Sequence, residues 1–334
     1  MKFRLPLLLW FLSIAPTVSF AQSQELIARA EKEGEVNLYA TMSVADFAHL
    51  AKAFKEKYPR INLRHISLPS SRQTARVMQE FRAGGVQADV LGNSPDTLVY
   101  LKQQGVVGPY RSPEAKNLFQ GAWDTDGFWS GITTDLLVTG FNPRLMSKAA
   151  VPKSYDDYLR AQIKGQMAIN RGVPYPLTGM VSLRGEEQGL AYFKKFAQQD
   201  LRLIGDFNHM VNLMAAGEYA LTGFMQVSKL DAMKRKDAPV DWVAAPQTFA
   251  TIASVGMVKN PQHPAAAQLL IDFYLSAEGQ RALAAAGKIP LRKGVKSPSK
   301  DIDQVLEGGS LHVVRPDGSY DRYMKIYNEY LGIR

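Results

Sequence analysis

Hydroxyl and guanidinium side chains recur where this chain turns from an extended run into a helical one, a placement suited to holding an anion. In Leu68-Pro69-Ser70-Ser71-Arg72-Gln73-Thr74, the alternating run Ile61–Ile66 gives way to apolar residues at helical spacing, Val77, Met78 and Phe81. A serine at such a junction can cap the helix through its side-chain oxygen. The remaining first-turn N–H groups attract anions, and an arginine beside them strengthens the pull. Ser70, Ser71 and Arg72 are therefore candidate ligand contacts, although a plain capped helix start explains them equally well. Thr41-Met42-Ser43 and Asn93-Ser94-Pro95-Asp96 are two more turns of this kind, and the second combines a capping side chain, proline at the first helical position and an acid in the first turn. They add Thr41, Ser43, Asn93 and Ser94. Later, residues 171–179 read as a loop stiffened by two prolines that could present Arg171, Tyr175 and Thr178, while Gln226 and Ser228 stand at a further strand-to-helix turn.

Signatures of catalysis are missing. There is no Gly-x-Gly-x-x-Gly, no phosphate loop ending in Gly-Lys-Ser, no His-Glu-x-x-His and no Gly-x-Ser-x-Gly. The histidines, His49, His65, His209, His263 and His312, lie far apart and lack a second metal-ligand type at regular spacing. The pairs Asp156-Asp157 and Glu186-Glu187 fit helix starts, and Asp124-Thr125-Asp126-Gly127 lacks the later acids of a calcium loop and reads as a turn. With 0 cysteines there is no thiolate nucleophile, disulfide or lipid-modified cysteine. The expectation is a binding protein, not an enzyme, with no metal or cofactor.

The elements that must position these residues alternate. Val36–Ala40, Ile61–Ile66 and Ala88–Gly92 read as strands, separated by helices with Phe47, Leu50, Ala51 and Phe54 on one face and a stop at Gly84-Gly85. The same alternation resumes with a strand at Gln166–Asn170 and another at Tyr219–Phe224. Such alternation specifies parallel, doubly wound sheets, which bind ligands beyond the carboxyl ends of their strands. A length of 334 residues, 46% of them hydrophobic and 21% charged, favours two lobes with separate cores. Ile132–Phe141 and Thr248–Val258 read as extended crossings between the lobes, hence a hinge. The expected division is a leader at 1–21, lobe one at 22–131, lobe two at 132–247, a return to lobe one at 248–290, and a helical segment at 291–334 packing across both.

The leader has Lys2 and Arg4, an apolar run from Leu5 to Ile14 and small residues ending at Ala21, the pattern of a secretory signal. Cleavage after Ala21 is expected, giving a soluble periplasmic protein whose formal charge falls from +9 to +7. The basic residues are scattered. Lys234-Arg235-Lys236, the densest run, lacks interleaved aromatics, so nucleic acid is not an expected partner.

Val36–Ala40, Phe54-x-x-x-Tyr58-Pro59, Gly84–Gly92, Leu101-Lys102-Gln103-Gln104-Gly105 with Pro109-Tyr110, His263-Pro264-Ala265-Ala266 and Leu275–Gln280 together resemble the solute-binding components of bacterial ABC importers. Within that superfamily the chain is most similar to the branch of ferric-iron, thiamine and sugar-phosphate binders. The resemblance implies a type II periplasmic fold, a monomer, a ligand in the interlobe cleft and docking on an inner-membrane permease. The iron-binding members use a histidine after the first strand, a glutamate after the third and a tyrosine pair from lobe two. Ser43, Ser94 and Val227-Ser228 stand at the matching positions, which disfavours bare ferric iron. The expected ligand is a small organic anion: a phosphate ester, phosphonate or carboxylate. Binding of ferric iron or a chelated metal, and service as a receptor for a sensor protein, are the alternatives, followed by a secreted hydrolase.

Overall fold

The computed structural model describes residues 17–308, 311–314 and 318–333. The leader expected at 1–21 lies outside these residues as far as position 16. The first half of the chain runs α1 (Thr17–Glu33), β1 (Glu35–Ala40), α2 (Val44–Lys57), β2 (Asn62–Ser67), α3 (Ser70–Arg82), β3 (Val90–Asn93), α4 (Pro95–Gln103), β4 (Val107–Gly108) and β5 (Ser130–Phe141). Then come β6 (Met167–Asn170), α5 (Tyr175–Arg184), α6 (Glu186–Phe196), β7 (Arg202–Ile204), α7 (Phe207–Ala215), β8 (Leu221–Gln226), α8 (Val227–Lys234) and β9 (Asp241–Val243). The chain returns through β10 (Thr248–Val258), α9 (Pro264–Leu275), α10 (Ala277–Ala285) and β11 (Ile289–Pro290), and closes with α11 (Lys300–Glu307), β12 (Leu311–Val313) and α12 (Tyr320–Tyr330).

The strands form one sheet path, β2-β1-β3-β10-β5-β8-β6-β7, with doubly wound α/β lobes at its two ends. In lobe one β1 pairs parallel with both β2 and β3, so Leu38 lies beside His65 on one side and Val90 on the other. Parallel neighbours require helical crossovers, and α2 supplies one whose Phe47, Leu50 and Phe54 are buried. In lobe two β6 pairs parallel with β7 and β8. Its apolar residues form two cores, one gathering Phe193, Phe196 and Phe224 with Tyr323 and Tyr327 of α12, the other gathering Met210, Met214 and Leu230 with Ile302 and Leu306 of α11.

The long strands β5 and β10 join the lobes. They pair antiparallel from Phe249 opposite Leu137 to Val255 opposite Ser130, with a register shift between Ala253 and Ser254. Each serves both lobes: β10 begins beside β12 and ends beside β3, while β5 begins beside β11 and ends beside β8 and β9. At the shift, Gly131 packs so closely that a Cβ there would stand 2.6 Å from the Ala122 carbonyl oxygen. Residues 171–179, expected as a loop, are helical from Tyr175. Pro176 explains the difference, because a proline in the first turn sacrifices no helical hydrogen bond and its fixed φ suits the helix.

Gln280 of α10 is fully buried behind this hinge. Its Nε2 donates to the carbonyls of Ile132 (2.7 Å) and Tyr274 (2.9 Å), and its Oε1 accepts from the backbone N–H of Leu291 (2.7 Å) and Arg292 (3.1 Å). Four backbone groups on three segments thus depend on one amide. Gln280→Ala is expected to cost about 3 kcal/mol by leaving them unpaired, read as a lowered denaturant midpoint; a loss within about 0.5 kcal/mol, the usual effect of a surface substitution, would contradict this role.

Candidate functional site

A cleft of about 1820 Å³ opens between the lobes. That exceeds the roughly 300–1,000 Å³ of a typical small-molecule pocket, as an open cleft should. Lobe one contributes the turns after β1, β2 and β3; lobe two contributes the end of β8 with α7 and α8. Thr133, Thr134 and Asp135 of β5 and Thr251–Ser254 of β10 also line it.

Of the residues singled out from the sequence, Thr41, Ser43, Ser70, Ser71, Asn93, Ser94, Tyr175, Gln226 and Ser228 line this cleft. Asn93 holds lobe one's wall together. Its Oδ1 accepts from Ser70 Oγ (2.9 Å) and the Ser94 N–H (2.8 Å), its Nδ2 donates to buried Gln73 (2.6 Å), and its carbonyl accepts from Ser254 Oγ (2.8 Å). One side chain on β3 therefore fixes the starts of α3 and α4. Ser43 and Ser94 cap α2 and α4 by accepting from the N–H groups of Asp46 (3.1 Å) and Thr97 (3.3 Å). At α3 the cap position falls instead on Pro69, and no side chain closes the first turn. Its N–H groups and the Ser71 hydroxyl, which has no hydrogen bond among the described residues, are available to the cleft.

Three expected contacts stand elsewhere. The face of α3 that lines the cleft carries Ser71, Thr74, Ala75, Met78 and Arg82. Arg72 lies a further 100° around the helix, exposed to solvent. Arg171 is also exposed, its Nε 3.7 Å from where a Cβ would stand on Gly205, at the β6–β7 flank. Thr178 sits one turn inside α5 and lines an adjoining pocket of about 370 Å³ with Asp96, Glu186 and Tyr320.

Asp135 escaped the sequence reading because β5 reads simply as an extended crossing; a single carboxylate inside an otherwise uncharged run was the available signal. Its Oδ1 accepts from the Ser228 N–H (3.2 Å) and its Oδ2 from Ser228 Oγ. Burial pushes its carboxyl up to about 6, against the pull of these hydrogen bonds and of the Lys229 charge. The cleft's cations escaped as well, since they lie scattered along the chain with no motif around them. Lys288 pairs with Asp46 (2.7 Å) and Arg235 with Asp231 (3.0 Å), whereas the side chains of cleft-lining Arg82, Lys229 and Lys236 make no ion pair or hydrogen bond among the described residues, and of these Lys229 is the one whose charge acts on Asp135. Tyr274, fully buried, also borders the cleft, and its hydroxyl has no hydrogen-bond partner among the described residues. Among the described residues no three His, Cys, Asp or Glu side chains stand close enough to hold a metal ion.

Two α/β lobes on a two-stranded hinge, with a polar cleft between them, define a periplasmic-binding fold of type II. The chain belongs to the bacterial extracellular solute-binding protein family, whose model matches residues 88–317. No curated protein matches its sequence. Among solved structures it is similar to iron-bound HitA from Pseudomonas aeruginosa, with a TM-score of 0.73 and 18% identity over 89% of this chain and 99% of that one. Trichodesmium IdiA (FutA), in complex with iron and citrate, gives a TM-score of 0.76 and 18% identity over 90% of this chain and 100% of that one. AfuA from Actinobacillus pleuropneumoniae, with fructose-6-phosphate bound, gives 0.66 and 20% identity over 90% and 97%. At such identities the likeness is one of fold.

The Asp135 carboxyl supplies a test of this geometry. In the folded protein it holds its proton up to about pH 6, whereas in the unfolded chain an aspartate releases it near 3.9. Between those values the folded state binds more protons, so this group favours folding as pH falls through 6 and opposes it above. Asparagine keeps both bonds to Ser228, accepting from its N–H and donating to its Oγ. Asp135→Asn is therefore expected to raise the melting temperature relative to wild type more at pH 7.5 than at pH 4.5; an equal difference at the two pH values would contradict the shift.

Proposed function

We propose that this protein is the periplasmic solute-capture component of an ABC importer, and that its cleft closes on a small organic anion and delivers it to a membrane permease. Family membership supports the carrier role. The observation that carries the ligand class is the pairing of two unsatisfied sets of donors on opposite walls of one cleft: the uncapped first turn of α3 with Ser71 on lobe one, and unpaired Lys229 on lobe two. Charge-assisted bonds from an ammonium and from first-turn N–H groups are strong for phosphate, phosphonate and carboxylate oxygens. An anion reached by both sets would draw the lobes together, since closure lets each wall complete its hydrogen bonds. Arg72 and Arg171 have no part in this reading. AfuA, with its sugar phosphate, is a relative of the same fold that holds such a ligand.

The iron alternative draws on HitA and IdiA, but Ser43, Ser94 and Val227-Ser228 stand at the positions matching the ligands of the iron-binding members. A carrier of this kind has no reaction to perform, and no residue is assigned a catalytic role.

Thermal shift against a panel of phosphate esters, phosphonates, carboxylates and ferric iron tests the proposal, because a ligand that binds only the folded state raises the melting temperature. An organic anion is expected to raise it. Lys229→Ala should weaken binding of that anion by about tenfold or more, while Arg72→Ala should leave it unchanged. A shift by ferric iron alone, or full affinity in the Lys229 variant, would overturn the ligand class.

A further inference from the structure

A cleft meant only for an anion has no use for a carboxylate, yet Asp135 lines this one from the hinge strand β5. Its two oxygens each accept one bond from Ser228, from the backbone N–H and from the hydroxyl. A carboxylate offers about four acceptor sites, so lone pairs remain for a ligand. The Lys229 charge acts on it only from beyond ion-pair distance, unlike Asp46, which Lys288 meets directly. Lys229, the cation assigned to the proposed anion site, follows directly after the serine that holds Asp135. An anionic group reaching Lys229 therefore arrives beside a second negative charge.

We propose that the cleft selects organic anions that also carry a hydroxyl or ammonium donor close to the anionic group, with Asp135 receiving that donor while Lys229 meets the anion. The assignment builds on the anion-binding reading of the cleft and narrows it. A ligand with such a donor turns the repulsion at Asp135 into a charge-assisted hydrogen bond. A simple anion leaves the carboxylate buried by closure and facing like charge, at a cost in affinity. Asp135 is thus the specificity-determining residue, by the same logic that lets a site built around a ligand hydroxyl reject the analogue lacking it.

Matched pairs of probes test the assignment by titration calorimetry on the mature protein: fructose 6-phosphate against hexyl phosphate, and O-phosphoethanolamine against ethyl phosphate. In wild type, the donor-bearing member of each pair is expected to bind about tenfold or more tightly. In Asp135→Asn the two members should move in opposite directions, the donor-bearing one weaker and the simple phosphate tighter, so that the ratio collapses. A purely structural role would move both the same way. Equal binding within the pairs by wild type, or an unchanged ratio in the variant, overturns the assignment while leaving the anion reading intact. Should no phosphate bind at all, the assignment falls as stated, while the anion reading then rests on the phosphonates and carboxylates of the thermal-shift panel. The wild-type ratios need no variant, and the melting temperature of Asp135→Asn verifies that it folds.

Discussion

Everything else in the molecule hangs on the antiparallel pairing of β5 with β10. Each strand is long enough to leave one lobe and enter the other, and each finds neighbours in both. The register shift at Ala253–Ser254 interrupts the ladder where the strands pass between the lobes, and Gln280 anchors the start of β5 from behind through Ile132. A two-strand connection of this kind transmits alignment and still permits bending, because few hydrogen bonds must adjust when the lobes move. It also supplies Asp135 and the threonines that border the cleft, so the hinge and the candidate site share residues.

The polar wall of lobe one shows how a modest set of side chains can build a binding surface. Asn93 spends its hydrogen-bonding capacity on Ser70, Gln73, Ser94 and Ser254. What it gains is position: α3 and α4 start at fixed places beside the sheet, and the unsatisfied donors at the α3 start face the cleft because Ser70 is tied sideways to Asn93. Lobe two answers with Lys229, carried one residue beyond the Ser228 that clasps Asp135. In the proposed binding mode, closure on a ligand satisfies donors and acceptors together.

The fold was legible because its cause is local. Periods of two and then of three to four residues, broken by Gly34, Gly84-Gly85 and Pro59, spell out alternating strands and helices, and in parallel sheets the turns after successive strands must share an edge. Thr41, Ser43, Ser70, Asn93 and Ser94 meet for that reason. The site was less legible because membership depends on direction as well as position. Arg72 is one residue from Ser71 yet points away, a consequence of the helical rotation that begins at Ser70. Tyr175 starts a helix where the two prolines suggested a loop. Asp135 and Lys229, the two charges on which the proposed ligand chemistry rests, carry no motif, and only the folded chain brings Asp135 of β5 beside Ser228 of α8.

The compound that the native protein carries is the most direct arbiter. Mass spectrometry of the material released on denaturing protein purified without added ligand is expected to yield a stoichiometric small organic anion that also bears a hydroxyl or amino group. Recovery of ferric iron without an organic anion, or of a ligand with no anionic group, would contradict the account.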